Sequence, residues 1–339
     1  MKASLFLGKH NIQVEDFDLG QVEPEEVLID IKYCGVCGTD VHIFNGHEGS
    51  ADVTPPIILG HECSGVVARV GRDVRNVKVG DRVTVNPNDM CGQCYFCRSG
   101  RSAFCENHLA IGTIANGGFA EQMKVRAKQV LKLNNISFES AALVEPLSCC
   151  FNVFKMINYK LGDVYMIVGA GPIGLMMIQL ARIAGASKII VVEIVAEKRE
   201  QALRFGADYA FDPEKMGVQE AIRKNSIKNI DKIIECVGLK QTQQYCIDNI
   251  GKGTEVMFFG LGDPDQTIEI KPFELFRKQA SLQSSFINPD TFEKTLELVE
   301  SGVVDLEAII SDVVEQSELP FVLKDSKRRE KGKVLVQFS

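Results

Sequence analysis

The amino-acid sequence predicts an α/β protein in which a β-rich domain is interrupted by a doubly wound, parallel-sheet domain of Rossmann type. Three observations carry this expectation. Short β-branched runs separated by glycine turns fill the first third, and from about Phe138 buried-type strands alternate with helical stretches. A glycine triplet also sits where the first of those strands would turn into a helix. At 339 residues the chain exceeds the size at which single cores stop growing, so two domains are expected.

In chain order, "EVLIDIKYCGV", "ECSGVVARVG" and "GDRVTVNP" read as strands of the first domain. "DVYMIVGAG", "SKIIVVE", "DKIIECVG" and "GTEVMFFGLG" are nearly continuous in apolar residues, the mark of strands covered on both faces. Between them, "GLMMIQLARIAGA" and "EKREQALRFGA" read as helices, which gives right-handed crossovers and a parallel sheet. After Phe286 follow an amphipathic helix, "PDTFEKTLELVESG", and a closing strand, "GKVLVQFS". The expected domains are therefore residues 1–152, residues 153–286, and residues 287–339 returning to the first.

A hydrophobic fraction of 45% and a charged fraction of 24% are those of an ordinary globular protein. A net charge of −7 argues against nucleic acid as a partner, because binding phosphates needs a basic face. Val164 to Ala186 holds a single charge, Arg182, and approaches a membrane span in length. Its central Gly169, Gly171, Pro172 and Gly174 fit a strand-to-helix turn instead, so no membrane contact is expected. The opening "MKASLFLGKHNIQVED" has too short an apolar patch for a signal peptide. A cytoplasmic location follows as an expectation, with cysteines reduced and available to metals.

Gly169, Gly171 and Gly174 spell G-x-G-x-x-G, with Pro172 and Ile173 inside the motif at the head of a helix. Such a turn lets a pyrophosphate approach the backbone and meet the helix N-terminus. Glu193 ends the next strand, 19 residues after Gly174, where a carboxylate accepts the ribose hydroxyls of NAD and repels the 2′-phosphate of NADP. NAD is the expected cofactor. Lys198 and Arg199 follow within one helical turn. A solvated face is their simplest reading, but Lys198 stays among the cofactor-binding candidates because it can soften that repulsion.

Cys91, Cys94, Cys97 and Cys105 are spaced C-x2-C-x2-C-x7-C. Four thiolates at such spacing can close around a structural Zn²⁺; an iron–sulfur cluster is the competing reading. Arg98 and Arg101 lie inside the loop to offset the excess negative charge. A second, scattered set comprises Cys37, His61, Glu62 and Glu145. Mixed sulfur, nitrogen and oxygen donors from distant segments are what an open catalytic zinc site uses.

Gly60, His61, Glu62, Gly65, Gly71 and Val74 match G-H-E-x2-G-x5-G-x2-V without a gap. With the cysteine loop and the glycine triplet, the sequence resembles the zinc-dependent medium-chain dehydrogenase/reductase superfamily, especially its sorbitol (polyol) dehydrogenase branch. The resemblance implies a split, GroES-like catalytic domain and two zinc ions per chain. It also implies hydride transfer between NAD and a secondary alcohol of a sorbitol-, L-iditol- or arabitol-like polyol. Cys37, His61 and Glu62 would hold the catalytic zinc, with Glu145 bound directly or through water. Thr39 would take the hydroxyl proton and His42 relay it. The family's dimers and tetramers imply a homodimer or homotetramer through the Rossmann sheet edge, with Lys252 to Gly262 as the expected contact strand.

Typical sorbitol dehydrogenases carry a tyrosine where Ile43 stands and an Arg-Tyr pair where Ile287 and Asn288 stand. Shorter diols, four- or five-carbon polyols and sugar-alcohol phosphates are the alternatives this leaves, and L-threonine and 2,3-butanediol dehydrogenases are the nearest rivals within the same fold. Phe44, Phe119 and Phe286 are expected as pocket walls.

Overall fold

The structure, a computed structural model, describes residues 1–47, 49 and 52–338. The chain divides into two compact units, one of Met1–Ser148 with Ile287–Ser339, the other of Cys149–Phe286.

In the first unit the β-branched runs pair into a seven-stranded sheet centred on the strand Glu26–Gly35. Its Val27, Ile29 and Ile31 recur with period two, and all three are fully buried, so this face forms the core. Glu26–Gly35 pairs antiparallel with Glu62–Val70, Gln122–Arg126 and Lys333–Gln337. The closing strand thus lies against the first unit's own centre. Gly35 pairs with both Glu62 and Leu335. A Cβ on Gly35 would lie 2.0 Å from Glu62 Oε2, so only glycine lets the glutamate side chain cross this strand.

In the second unit six parallel strands stand in the order Tyr209–Phe211, Lys188–Val192, Val164–Val168, Lys232–Glu235, Glu255–Phe258, Ser281–Ser284. In chain order this is 3-2-1-4-5-6, the doubly wound arrangement. The membrane-length stretch resolves into the strand Val164–Val168 and the helix Pro172–Ile183. Among the described residues no helix is long and apolar enough to cross a membrane.

The expectation for Lys252 to Gly262 needs correction. Its strand, Glu255–Phe258, is paired on both sides and offers no free ladder; the edge strand on that side is Ser281–Ser284, and Tyr209–Phe211 is the other edge. Strand order is a long-range property, and the polar sequence "SLQS" gave no sign of a sixth strand.

The turn after Val164–Val168 matches the glycine motif. Gly169 adopts φ +96°, and a Cβ on Gly174 would lie 2.1 Å from the Gly169 carbonyl oxygen. Backbone cannot yield there as a flexible side chain can. Gly174→Ala should therefore cost about 1–3 kcal/mol and lower Tm by several degrees in a thermal melt; an unchanged Tm would refute the close contact.

Candidate active site

The first site is built on a short helix, Gly38–Phe44, whose N-cap is Cys37 in an extended conformation. Asp40, fully buried, accepts the Cys37 amide on Oδ2 at 2.8 Å and the Gly60 amide on Oδ1 at 3.3 Å. One carboxylate therefore ties the Cys37 segment to the turn that presents His61 and Glu62. The Cys37 sulfur, a His61 ring nitrogen and a Glu62 carboxylate oxygen lie within 4.8 Å of one another. Thr39 Oγ1 accepts from Cys37 Sγ at 3.7 Å, and His42 follows one turn along the same helix.

His61 Nδ1 and Glu62 Oε2 are buried without a hydrogen-bond partner, a costly state for polar atoms. Nδ1 lies 3.7 Å from Asp40 Oδ1, the place of an outer carboxylate behind a metal-binding histidine. The other oxygen of Glu62 is paired with the ammonium of Lys333, itself buried.

The charges around this cluster are mostly negative. Burial pulls the His61 imidazolium down, but Asp40, Cys37 and Glu145 outweigh it and leave the group well above its usual value. Burial likewise opposes charge on Lys333, and Glu62, Cys37 and Glu145 overcome it. Burial raises the Asp40 carboxyl, with His61 and the Cys37 amide opposing. Thiolate, imidazole and carboxylate donors, with Glu62 Oε2 orphaned and Asp40 behind the imidazole, in an anionic pocket fit a zinc ion. Glu145, in the first turn of the helix Val144–Met156, is buried and acts electrostatically on His61 and Lys333. It does not join the group of donors within 4.8 Å.

The sulfurs of Cys91, Cys94, Cys97 and Cys105 also lie within 4.8 Å of one another, with Cys91 and Cys97 at 4.0 Å. Four sulfurs about 2.3 Å from one zinc stand roughly 3.8 Å apart; the bridging sulfides of an iron–sulfur cluster would spread them further. Amides of Gln93 and Cys94 donate to Cys91 Sγ at 3.5 and 3.4 Å, and that of Cys97 to Cys94 Sγ at 3.5 Å. The Gln93 and Cys94 amides hold the Cys91 thiol down to about 6. These bonds favour thiolates.

In the second unit nothing lies within 4 Å of where a Cβ on Gly171 would be, which leaves room for a phosphate beside the helix that Pro172 and Ile173 begin. Glu193 Oε2 accepts the Ala170 amide at 2.9 Å, and Oε1 the Val195 amide at 3.0 Å. Arg199 is committed to the Glu193 carbonyl and to Asp212, while Lys198 lies half-buried on the helix Ala196–Arg204.

Two family models match the chain: "Alcohol dehydrogenase GroES-like domain" over residues 23–135 and "Zinc-binding dehydrogenase" over residues 172–301. D-arabinitol dehydrogenase 1 of Uromyces fabae is 31% identical over 94% of this chain and 92% of its own length. Sorbitol dehydrogenase of Bacillus subtilis (strain 168) is 31% identical, covering 92% and 89%. The chain belongs to the zinc-dependent medium-chain dehydrogenases, polyol branch. A structure described as a zinc-binding dehydrogenase from Sinorhizobium meliloti 1021, bound to NADP, superposes with a TM-score of 0.93. It is 34% identical and covers 99% of this chain and 98% of that one. The protein is thus an oxidoreductase of this family, with the GroES-like and Rossmann-type folds expected.

For this zinc-dependent dehydrogenase, Asp40 and Lys333 are the residues that sequence reasoning missed. The capping-box spacing of Cys37 and Asp40 was a usable signal for the first; Lys333, 271 positions from Glu62, had none. Phe44 and Phe119, expected as pocket walls, are fully buried in the first unit's hydrophobic core. Phe286 remains partly exposed.

Elemental analysis should find two zinc ions per chain, one for each donor group. Cys105→Ser should remove one and lower Tm, whereas Cys37→Ala should remove the other. Retention of both ions in either variant would refute that assignment.

Proposed function

We propose that the protein oxidises a secondary hydroxyl of a small polyol with NAD and reduces the corresponding ketone with NADH. One observation carries the reading: Cys37, His61 and Glu62 converge beside the Thr39 hydroxyl while Glu62 Oε2 is buried without a partner. The polyol class is supported by the arabinitol and sorbitol enzymes, similar over nearly the whole chain.

Cys37, His61 and Glu62 would hold the catalytic zinc, and Cys91, Cys94, Cys97 and Cys105 a structural one. Bound zinc supplies Lewis acidity that lowers the pKa of an alcohol. Thr39 accepts the hydroxyl proton, and His42, on the same face one turn later, passes it toward solvent; an imidazole suits this near neutral pH. Glu145 would contact that zinc at rest, directly or through water, and would not be needed as a ligand once substrate is bound. The charge count supports this: zinc, Cys37 thiolate and Glu62 sum to zero, Lys333 and Asp40 cancel, and Glu145 would make the centre anionic.

Gly169, Gly171, Pro172, Ile173 and Gly174 would receive the pyrophosphate. Glu193 faces the adenosine ribose, and its two amide bonds leave it unable to swing away from a 2′-phosphate. NAD is therefore preferred, with Lys198 a minor modifier.

Neither Ile43 nor Asn288 replaces the polar groups of typical sorbitol enzymes. Ile43 is buried, and Asn288 is fully engaged with Asn88 and Ser148. Few partners then remain for distal hydroxyls, which favours four- and five-carbon polyols. We place the enzyme in the cytoplasm as a homodimer or homotetramer joined through the edge strand Ser281–Ser284.

With NAD, xylitol and arabinitol should exceed 2,3-butanediol and L-threonine in kcat/KM by about tenfold or more; the reverse order would move the protein to the butanediol or threonine class. Thr39→Val should lower kcat by about a hundredfold or more with KM little changed. Glu193→Ala should narrow the preference for NAD over NADP in initial rates, and an unchanged ratio would refute the role given to Glu193.

A further inference from the structure

Glu235 ends the strand Lys232–Glu235 and is fully buried. Its carboxylate is spent on the loop that follows. Oε1 accepts the amides of Val237 and Gly238 at 2.9 and 3.0 Å and the Thr242 hydroxyl at 2.7 Å; Oε2 accepts Gly238 at 3.1 Å. The carbonyl oxygen of the same residue takes the amides of Phe259 and Gly260, at 3.0 and 3.1 Å, beyond the next strand. One residue therefore fixes the exits of two neighbouring strands. A buried carboxylate is costly unless its oxygens are bonded, and here only donors surround it. Glutamine would turn an NH₂ group against some of those donors.

The loop so held lies against the glycine motif. The Cys236 amide donates to Val168 at 2.9 Å, and a Cβ on Gly169 would meet the Val237 methyl at 2.5 Å. In a sheet ordered 3-2-1-4-5-6 the dinucleotide crosses the carboxyl ends of strands 1 and 4, here Val164–Val168 and Lys232–Glu235. The half that bears Glu193 takes the adenosine ribose. The half that begins with Lys232–Glu235 takes the other nucleotide.

We infer that Glu235 is a positioning residue for the nicotinamide half of the cofactor, holding Val237 and Gly238 as the wall on which that half rests. The inference rests on the NAD reading above. A purely structural Glu235 would affect both halves of the cofactor alike, whereas a positioning one discriminates between them.

The test measures equilibrium binding of NADH and of AMP to the full-length, zinc-loaded protein, well below each variant's Tm. In Glu235→Gln, NADH should bind about tenfold more weakly, as loss of a charged hydrogen bond implies, while AMP stays within about twofold. Thr242→Val, which leaves the carboxylate in place, should weaken NADH by a smaller factor with the same selectivity. Equal weakening of both ligands, or no change in either, would overturn the inference. Should Glu235→Gln not fold, unchanged NADH binding in Thr242→Val overturns it alone. If the wild-type protein binds no NADH, the cofactor reading falls, and this inference with it.

Discussion

Glu62 and Lys333 are opposite charges buried side by side, and much of the first unit follows from keeping them together. Either ion alone in the interior would cost several kcal/mol, and removing one partner of such a pair typically costs about 3–5 kcal/mol. The pair brings the last strand against Glu26–Gly35 and requires glycine at position 35, where the glutamate crosses. It also decides which atoms remain available. With one Glu62 oxygen committed to the ammonium, the other faces His61 and Cys37 without a partner.

The two cysteine-bearing sites solve different problems with related chemistry. Cys91, Cys94, Cys97 and Cys105 surround their site with backbone amides that donate to sulfur, so its negative charge is spread over the loop itself. The site around Cys37 instead takes its counter-charge from a remote part of the chain, the ammonium of Lys333 on Glu62. A closed, self-sufficient site suits a staple; a site balanced from outside can change ligands without losing its shape.

What the sequence revealed was what short-range spacing encodes. The four cysteines, the glycine triplet and the histidine–glutamate motif each lie within a few residues, and the apolar runs mark their own strands. Lys333 sits in a strand that reads "KVLVQ", where a leading lysine is indistinguishable from an ordinary exposed end. Its role depends on a neighbour 271 positions away. The same limit explains the misplaced sheet edge, since no local pattern states which strand is outermost. It also explains Phe44 and Phe119: aromatic residues near a motif can equally fill the core beneath it. Ile43 illustrates the converse. Its departure from the polyol pattern was plain in the sequence, and its side chain is buried in the first unit's core.

The first unit is assembled from two stretches separated by residues 149–286. During synthesis, His61 and Glu62 leave the ribosome long before Lys333 does. Until then Glu62 lacks the ammonium that pairs with it in the folded unit, and the central sheet lacks the neighbour that Lys333–Gln337 later provides. Completion of this half therefore waits on a strand that is made after the whole of the nucleotide-binding half, Cys149–Phe286, so the unit begun first is the one closed last.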